Sequence, residues 1–178
     1  MKKILILSLL VSSLLAGNLQ LKEGFVAAHT EVLGDSTIDP LNSNLHADLR
    51  ILGDDITSIR GKLTVDMKLF FSDNKDRDKH MYETTQVNTF PLASYTIVSI
   101  QKEKGSNAYT ITGTLDFHGV QKKLDFNAEI TEKQNRIKIS ATSKILLGTY
   151  DVDAPCLLGF ALCVDDKVDL YAKAVLLK

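Results

Sequence analysis

Tryptophan is absent from this sequence, proline occurs three times, cysteine twice, and neither sign of charge predominates. Each shortage removes a class of protein. Without Trp there is no Cys-Trp-Cys framework of an immunoglobulin sandwich. So little proline leaves no Pro-rich tract, and no low-complexity segment or internal repeat is present. Twenty-one basic residues against 22 acidic ones give a formal net charge of −1. That balance carries no electrostatic footprint for nucleic acid, so no nucleic-acid partner is expected. The two cysteines match neither a redox Cys-x-x-Cys nor a zinc knuckle. The four histidines, at 29, 46, 80 and 118, make no i, i+4 or i, i+2 pair, so no metal site is expected. Asp73, Asp76 and Asp78 lack the glycine and the terminal glutamate of a calcium loop. The sequence contains no Gly-x-Ser-x-Gly elbow and no phosphate-cradling Gly-rich loop. No catalytic residue and no cofactor is expected, and the chain reads as a non-enzyme.

The N-terminus is a separate segment. Met1-Lys2-Lys3 is basic, Ile4 to Leu15 is apolar apart from serines, and Ala16-Gly17-Asn18 follows. This is the layout of a secretory signal peptide. The apolar run is shorter than the roughly 20 residues that span a bilayer. Residues 1–17 are expected to be removed, leaving 18–178 as one exported domain; an uncleaved anchor is the alternative. No second apolar run of membrane length follows. In an oxidising compartment Cys156 and Cys163, seven apart, are expected to form a disulfide. Two buried thiols are the alternative.

What is present is alternation. From Tyr109 to Ile130, Ile111, Leu115 and Phe117 share one face, opposite Thr110, Thr112, Thr114 and Asp116. After a turn around Gly119 to Lys123, Leu124, Phe126, Ala128 and Ile130 share a face, opposite Asp125, Asn127 and Glu129. Period two means strand, and two strands about a short Gly-containing turn mean an antiparallel hairpin. The same pattern runs through Phe25–Leu33, Leu45–Ile51, Lys62–Phe71, Tyr95–Ile100, Arg136–Ser143 and Val168–Leu176. About eight one-sided strands predict a closed barrel or a two-sheet sandwich. Ser72 to Thr85 breaks the rule: it is polar, with a helix start at Asp76 or Asp78.

Several of these segments resemble the YceI-like family. Arg77-Asp78-Lys79-His80-Met81-Tyr82-Glu83 is similar to that family's Arg-Asp-x-His segment, and Phe90-Pro91-Leu92-Ala93-Ser94-Tyr95 to the segment that follows it. Tyr109-x-Ile111-x-Gly113-x-Leu115-x-x-His118-Gly119-Val120-x-Lys122 resembles its His-Gly-Val signature, and Ile59-Arg60-Gly61 its turn before a long strand. The resemblance covers roughly residues 25 to 175. It implies an all-β, eight-stranded antiparallel, lipocalin-like barrel with a short helical insertion. It further implies periplasmic export and a long-chain isoprenoid or fatty-acid-like lipid as ligand. The chain departs from the family near His29-Thr30-Glu31 and Ile38-Asp39-Pro40, and again at Leu147-Gly148-Thr149-Tyr150.

The expected tail-binding residues are Leu63, Val65, Met67, Leu69, Ile111, Leu115, Phe117, Phe126, Ile139 and Leu170, on apolar faces. Met81, Tyr82, Phe90 and Tyr95 are expected at the cavity mouth. Arg77, His80 and His118 are assigned to the head group or the rim; His118 as a turn residue bonding the backbone and Arg77 as a loop anchor are the alternatives. Small residues on the inward rows, Ala28, Ala47, Gly113, Ala128, Ala141, Ala172 and Ala174, favour a cavity. An adaptor with a filled barrel is the competing reading, and an enzyme acting on lipid the remaining one. Assembly as a homodimer is left open.

Overall fold

The alternating segments form a single wall. The computed structural model describes residues 16–32, 36–157 and 162–178. Its strands are β1 (Ala16–Val32), β2 (Ser36–Ile38), β3 (Leu41–Asn42), β4 (Leu45–Leu52), β5 (Asp55–Asp66), β6 (Leu92–Lys102), β7 (Ala108–Phe117), β8 (Val120–Lys133), β9 (Arg136–Leu146), β10 (Cys156–Leu157), β11 (Leu162–Cys163) and β12 (Lys167–Leu177). One helix, α1 (Lys75–Thr84), lies between β5 and β6. Eight long strands pair antiparallel in the order β12-β9-β8-β7-β6-β5-β4-β1, and β1 returns to β12. The sheet therefore closes, which is the barrel expected.

Local chemistry sets the corners. The turn between β7 and β8 is tighter than expected, only His118 and Gly119, with φ of 53° and 75°. Positive φ at both central residues matches the right-handed twist of the flanking strands. β5 stops at Asp66, five residues before the expected end at Phe71. The Asp66 carboxylate accepts from the Lys68 amide at 2.8 Å and caps a single 3-10 turn, Met67–Leu69. Period two persists in the sequence there, but the cap diverts the backbone. α1 begins at Lys75 because the Asn74 side chain accepts from the amides of Asp76 and Arg77. β1 is far longer than the expected Phe25–Leu33 and pairs Ala16 with Leu52. Leu33 itself, and residues 1–15, lie outside the described residues.

Two buried clusters fill the ends of the barrel. At the end where β1, β5, β7 and β9 start, Ile59, Ile130, Ile137 and Leu176 are almost wholly buried with Leu19, Ile51 and Tyr109. At the other end Val65, Met67, Phe70, Phe117, Ile145, Tyr150 and Val168 pack together under α1, which contributes Met81 and Tyr82. The Tyr82 hydroxyl donates to the Phe70 carbonyl at 2.5 Å and ties the helix to this end. Cys156 and Cys163 face each other across the β10–β11 pair and are joined by a disulfide.

Candidate ligand-binding site

A side chain on the inner face of a closed barrel meets open space only where the interior is unfilled or the wall is broken. Between the two packed ends the inner rows behave this way. Leu63 on β5, Leu115 on β7, Leu124 and Phe126 on β8, Ile139 on β9, and Leu170, Ala172 and Ala174 on β12 are only partly buried. Their partners in register place them on one inner surface: Leu115 sits two positions along from Gly113, which faces Leu124, and Ile139 faces Ala174. This is an apolar belt at mid-height.

Tyr95, on β6, lies along the inner face beside that belt and reaches over β7 to β8. Its hydroxyl lies 3.0 Å from the Ile111 carbonyl and 2.8 Å from the Leu124 carbonyl, and donates to this pair of acceptors. The ring lies directly over Gly113: a Cβ there would stand 2.4 Å from Tyr95 Cζ and 2.4 Å from the Thr96 carbonyl oxygen. Phe126 meets the Tyr95 ring edge-on at 5.0 Å. Burial pushes the phenol well above its ordinary range, so it remains a donor.

The wall is interrupted in two places. β8 pairs with β9 only from Lys133↔Arg136 to Asn127↔Thr142, so residues 120–126 leave β9. β1 and β4 also part in the middle of their run. Beside the first break stands Lys122. It pairs with Leu115 and so belongs to the inward row with Leu124 and Phe126, yet its side chain is exposed.

Of the residues expected to touch a tail, Leu63, Leu115, Phe126, Ile139 and Leu170 fall on the partly buried belt. Val65, Met67, Ile111 and Phe117 are inward but fully buried in the end clusters. Leu69 sits on the 3-10 turn and is 40% exposed, away from the inner rows. Met81, Tyr82 and Phe90 are partly buried near the α1 end, and Tyr95 is buried in the cluster that also holds Ile111 and Ala128. Leu21, Leu124, Ala172 and Ala174 are partly buried on the inner rows too, and period two already placed the last three inward.

His118 is a clasp. Its Nδ1 lies 3.1 Å from the Tyr150 carbonyl, which can only accept, so Nδ1 is the donor. Nε2 is buried and has no protein partner. The ring meets Phe90 at a tilt of 54° with centroids 4.2 Å apart, and Phe90 in turn covers Gly119. Arg77 donates to the Thr37 carbonyl at 2.6 Å and joins α1 to β2. His80 is exposed on α1. Arg77, His80 and His118 therefore share the α1 end of the barrel without converging on one point. Among the described residues no group of three His, Cys, Asp or Glu could hold a metal ion.

Comparison with known proteins follows the same lines. A UPF0312 protein of Pseudomonas putida is 27% identical over 118 residues, a match covering 61% of this chain and 61% of that relative. The crystal structure of Burkholderia cenocepacia BcnA superposes with a TM-score of 0.74 at 16% identity, covering 85% of this chain and 95% of that one. A polyisoprenoid binding domain from Saccharophagus degradans, implicated in plant cell wall breakdown, gives a TM-score of 0.68 at 14% identity over 90% and 97% of the two chains. At such identities the structural likeness speaks for the fold. The family model of the YceI-like domain matches residues 18–176, nearly the whole described barrel, and this chain belongs to that family.

Proposed function

We propose that this protein is an exported, non-catalytic carrier that encloses a long-chain apolar ligand, isoprenoid or fatty-acid-like, inside its barrel. The observation that carries the reading is the belt of partly buried apolar side chains at mid-height of a closed wall. The magnitudes agree with it. Each buried methylene contributes roughly 0.8 kcal/mol. Ten methylenes give about 8 kcal/mol against an association cost of about 4–15 kcal/mol, so a tail of 15 or more carbons is the kind of ligand that binds well. The polyisoprenoid-binding relative supports the ligand class. The signal-like residues 1–17 and the Cys156–Cys163 disulfide support export to the periplasm.

The competing reading, an adaptor with a filled barrel, draws on Tyr95 and Phe126, which already occupy part of the interior. One measurement separates the two. Protein purified from its natural compartment is extracted with organic solvent, and the extract is analysed by mass spectrometry. A stoichiometric long-chain lipid is the expected result. An empty extract from protein that also fails to take up added C15–C20 lipids would leave only the filled barrel.

A further inference from the structure

The break between β1 and β4 is a site in its own right. The two strands pair from Ala16↔Leu52 to Leu19↔Leu49, and on that side β1 next pairs with β3 at Val26↔Asn42. Seven positions separate Leu19 from Val26, and seven separate Asn42 from Leu49, so the register is unchanged across the gap. The wall opens for residues 20–25 and 43–48 and then recloses in step. On its other edge β1 carries an extra residue between Leu21 and Glu23 in its pairing with β12. Such a bulge bends a strand, here at the height of the gap.

The gap holds a cleft of about 450 Å³, lined by Asn18, Leu19, Gln20, Leu21, Leu45, His46 and Ala47. Its two rows have opposite character. Leu19, Leu21, Leu45 and Ala47 belong to the inner face and pack on the end clusters, Leu21 on both of them. Asn18, Gln20 and His46 are exposed at the lips. Gly24 lets the floor seat: a Cβ at that position would stand 3.1 Å from Leu45 Cδ2 and 2.8 Å from the Lys173 carbonyl oxygen. The unpaired strand backbones present further donors and acceptors, which require partners. Among the described residues no carboxylate, lysine or arginine side chain lines the cleft. The amides, the imidazole and the peptide groups here both donate and accept hydrogen bonds.

Resting on the carrier reading above, we infer that this cleft is a lateral head-group port. The ligand's uncharged, hydrogen-bonding end, a hydroxyl or carboxamide, lies between β1 and β4. Its tail passes Leu21 and Leu45 into the apolar belt.

The absence of tryptophan makes the test clean. His46→Trp and, on the opposite lip, Gln20→Trp place a single reporter at the cleft; Met81→Trp places one at the α1 end. Each variant is titrated with hexadecan-1-ol brominated at carbon 2 or at carbon 16, and with 2-bromohexadecanoate at pH 8. The 2-bromo alcohol should quench both lip reporters at least threefold more than the 16-bromo alcohol, with the order reversed at Met81→Trp. The carboxylate should bind at least tenfold more weakly than the alcohol. Saturable quenching at Met81→Trp that is stronger for the 2-bromo alcohol, with unquenched lips, overturns the port and leaves the carrier reading standing. Equal affinity for the carboxylate overturns the uncharged head. No saturable quenching in any variant overturns the carrier reading and the port together.

Discussion

Tyr95 and Gly113 form one unit: the ring occupies the volume that any side chain at 113 would need. Gly113→Ala forces either the Tyr95 ring or the Thr96 carbonyl to move, and overpacking of this kind costs about 1–3 kcal/mol. Tyr95→Phe keeps the packing and removes one donor from a pair of buried carbonyls, a loss of about 1 kcal/mol. Urea denaturation of both variants checks the order, with Gly113→Ala the less stable. An alanine variant as stable as Tyr95→Phe would mean the ring relocates freely. Only half of this unit was legible in the sequence. Gly113 stood out as a small inward residue. That Tyr95 fills its space depends on which strands are neighbours, which period two does not encode. Lys122 is the converse case. Its parity with Leu124 and Phe126 was plain, but the turn was expected to run to Lys123, and a residue inside a turn has no face.

At the scale of elements, alternation identified every long strand of the wall and misjudged their ends. β5 ends early because the Asp66 carboxylate captures the Lys68 amide, a local contact that hydropathy ignores. The two wall breaks were illegible for a different reason: a strand that has lost its partner keeps the same side-chain pattern. The far end of β12 is held by Lys178, whose amine bonds Asp54 at 2.8 Å and also pairs with Glu132. Hydrogen bonds to Asp54 and then Glu132 hold this amine above its ordinary 10.5, against a smaller effect of burial. A raised amine contributes stability that is fully present below pH 10.5 and is lost as pH rises through the folded value. Melting temperatures of the wild type and Lys178→Gln should therefore differ near pH 8 and converge above pH 10.5. A constant gap across that range would remove the ion pairs from the account. The β10–β11 hairpin has its own staple. Its closed loop is short, so the Cys156–Cys163 bond contributes about 2.5 kcal/mol by loop entropy. Thiol titration of denatured, unreduced protein should find no free thiol, and the Cys156→Ser, Cys163→Ser double variant should fold with a lower midpoint. A midpoint equal to the wild type would mean the hairpin is held by its surroundings.

For the whole molecule, two alanines on the inner face separate ligand space from packing. Ala172 lies on the partly buried belt, while Ala128 is 5% exposed inside the cluster with Tyr109 and Ile130. Enlarging Ala172 to Phe should lower lipid occupancy at nearly constant stability. Enlarging Ala128 to Phe should cost about 1–3 kcal/mol in folding first. Occupancy by mass spectrometry beside thermal melts reads both quantities, and an unchanged load in folded Ala172→Phe would place the ligand elsewhere. The barrel is sealed by β1 against β12, from Gln20↔Leu177 to His29↔Asp169, which joins the two extremes of the described chain. That seam sets the timing of folding. Pairing segments so distant must first overcome the entropy of closing nearly the entire chain, and such topologies fold slowly. Until the last 11-residue strand arrives, the sheet has two open edges and no seal around its interior. Local hairpins such as β7–β8 can form earlier, but the wall closes only once β12 is available to pair with both β9 and β1. On the export reading proposed above, the same delay favours passage of the chain through a membrane before the barrel forms.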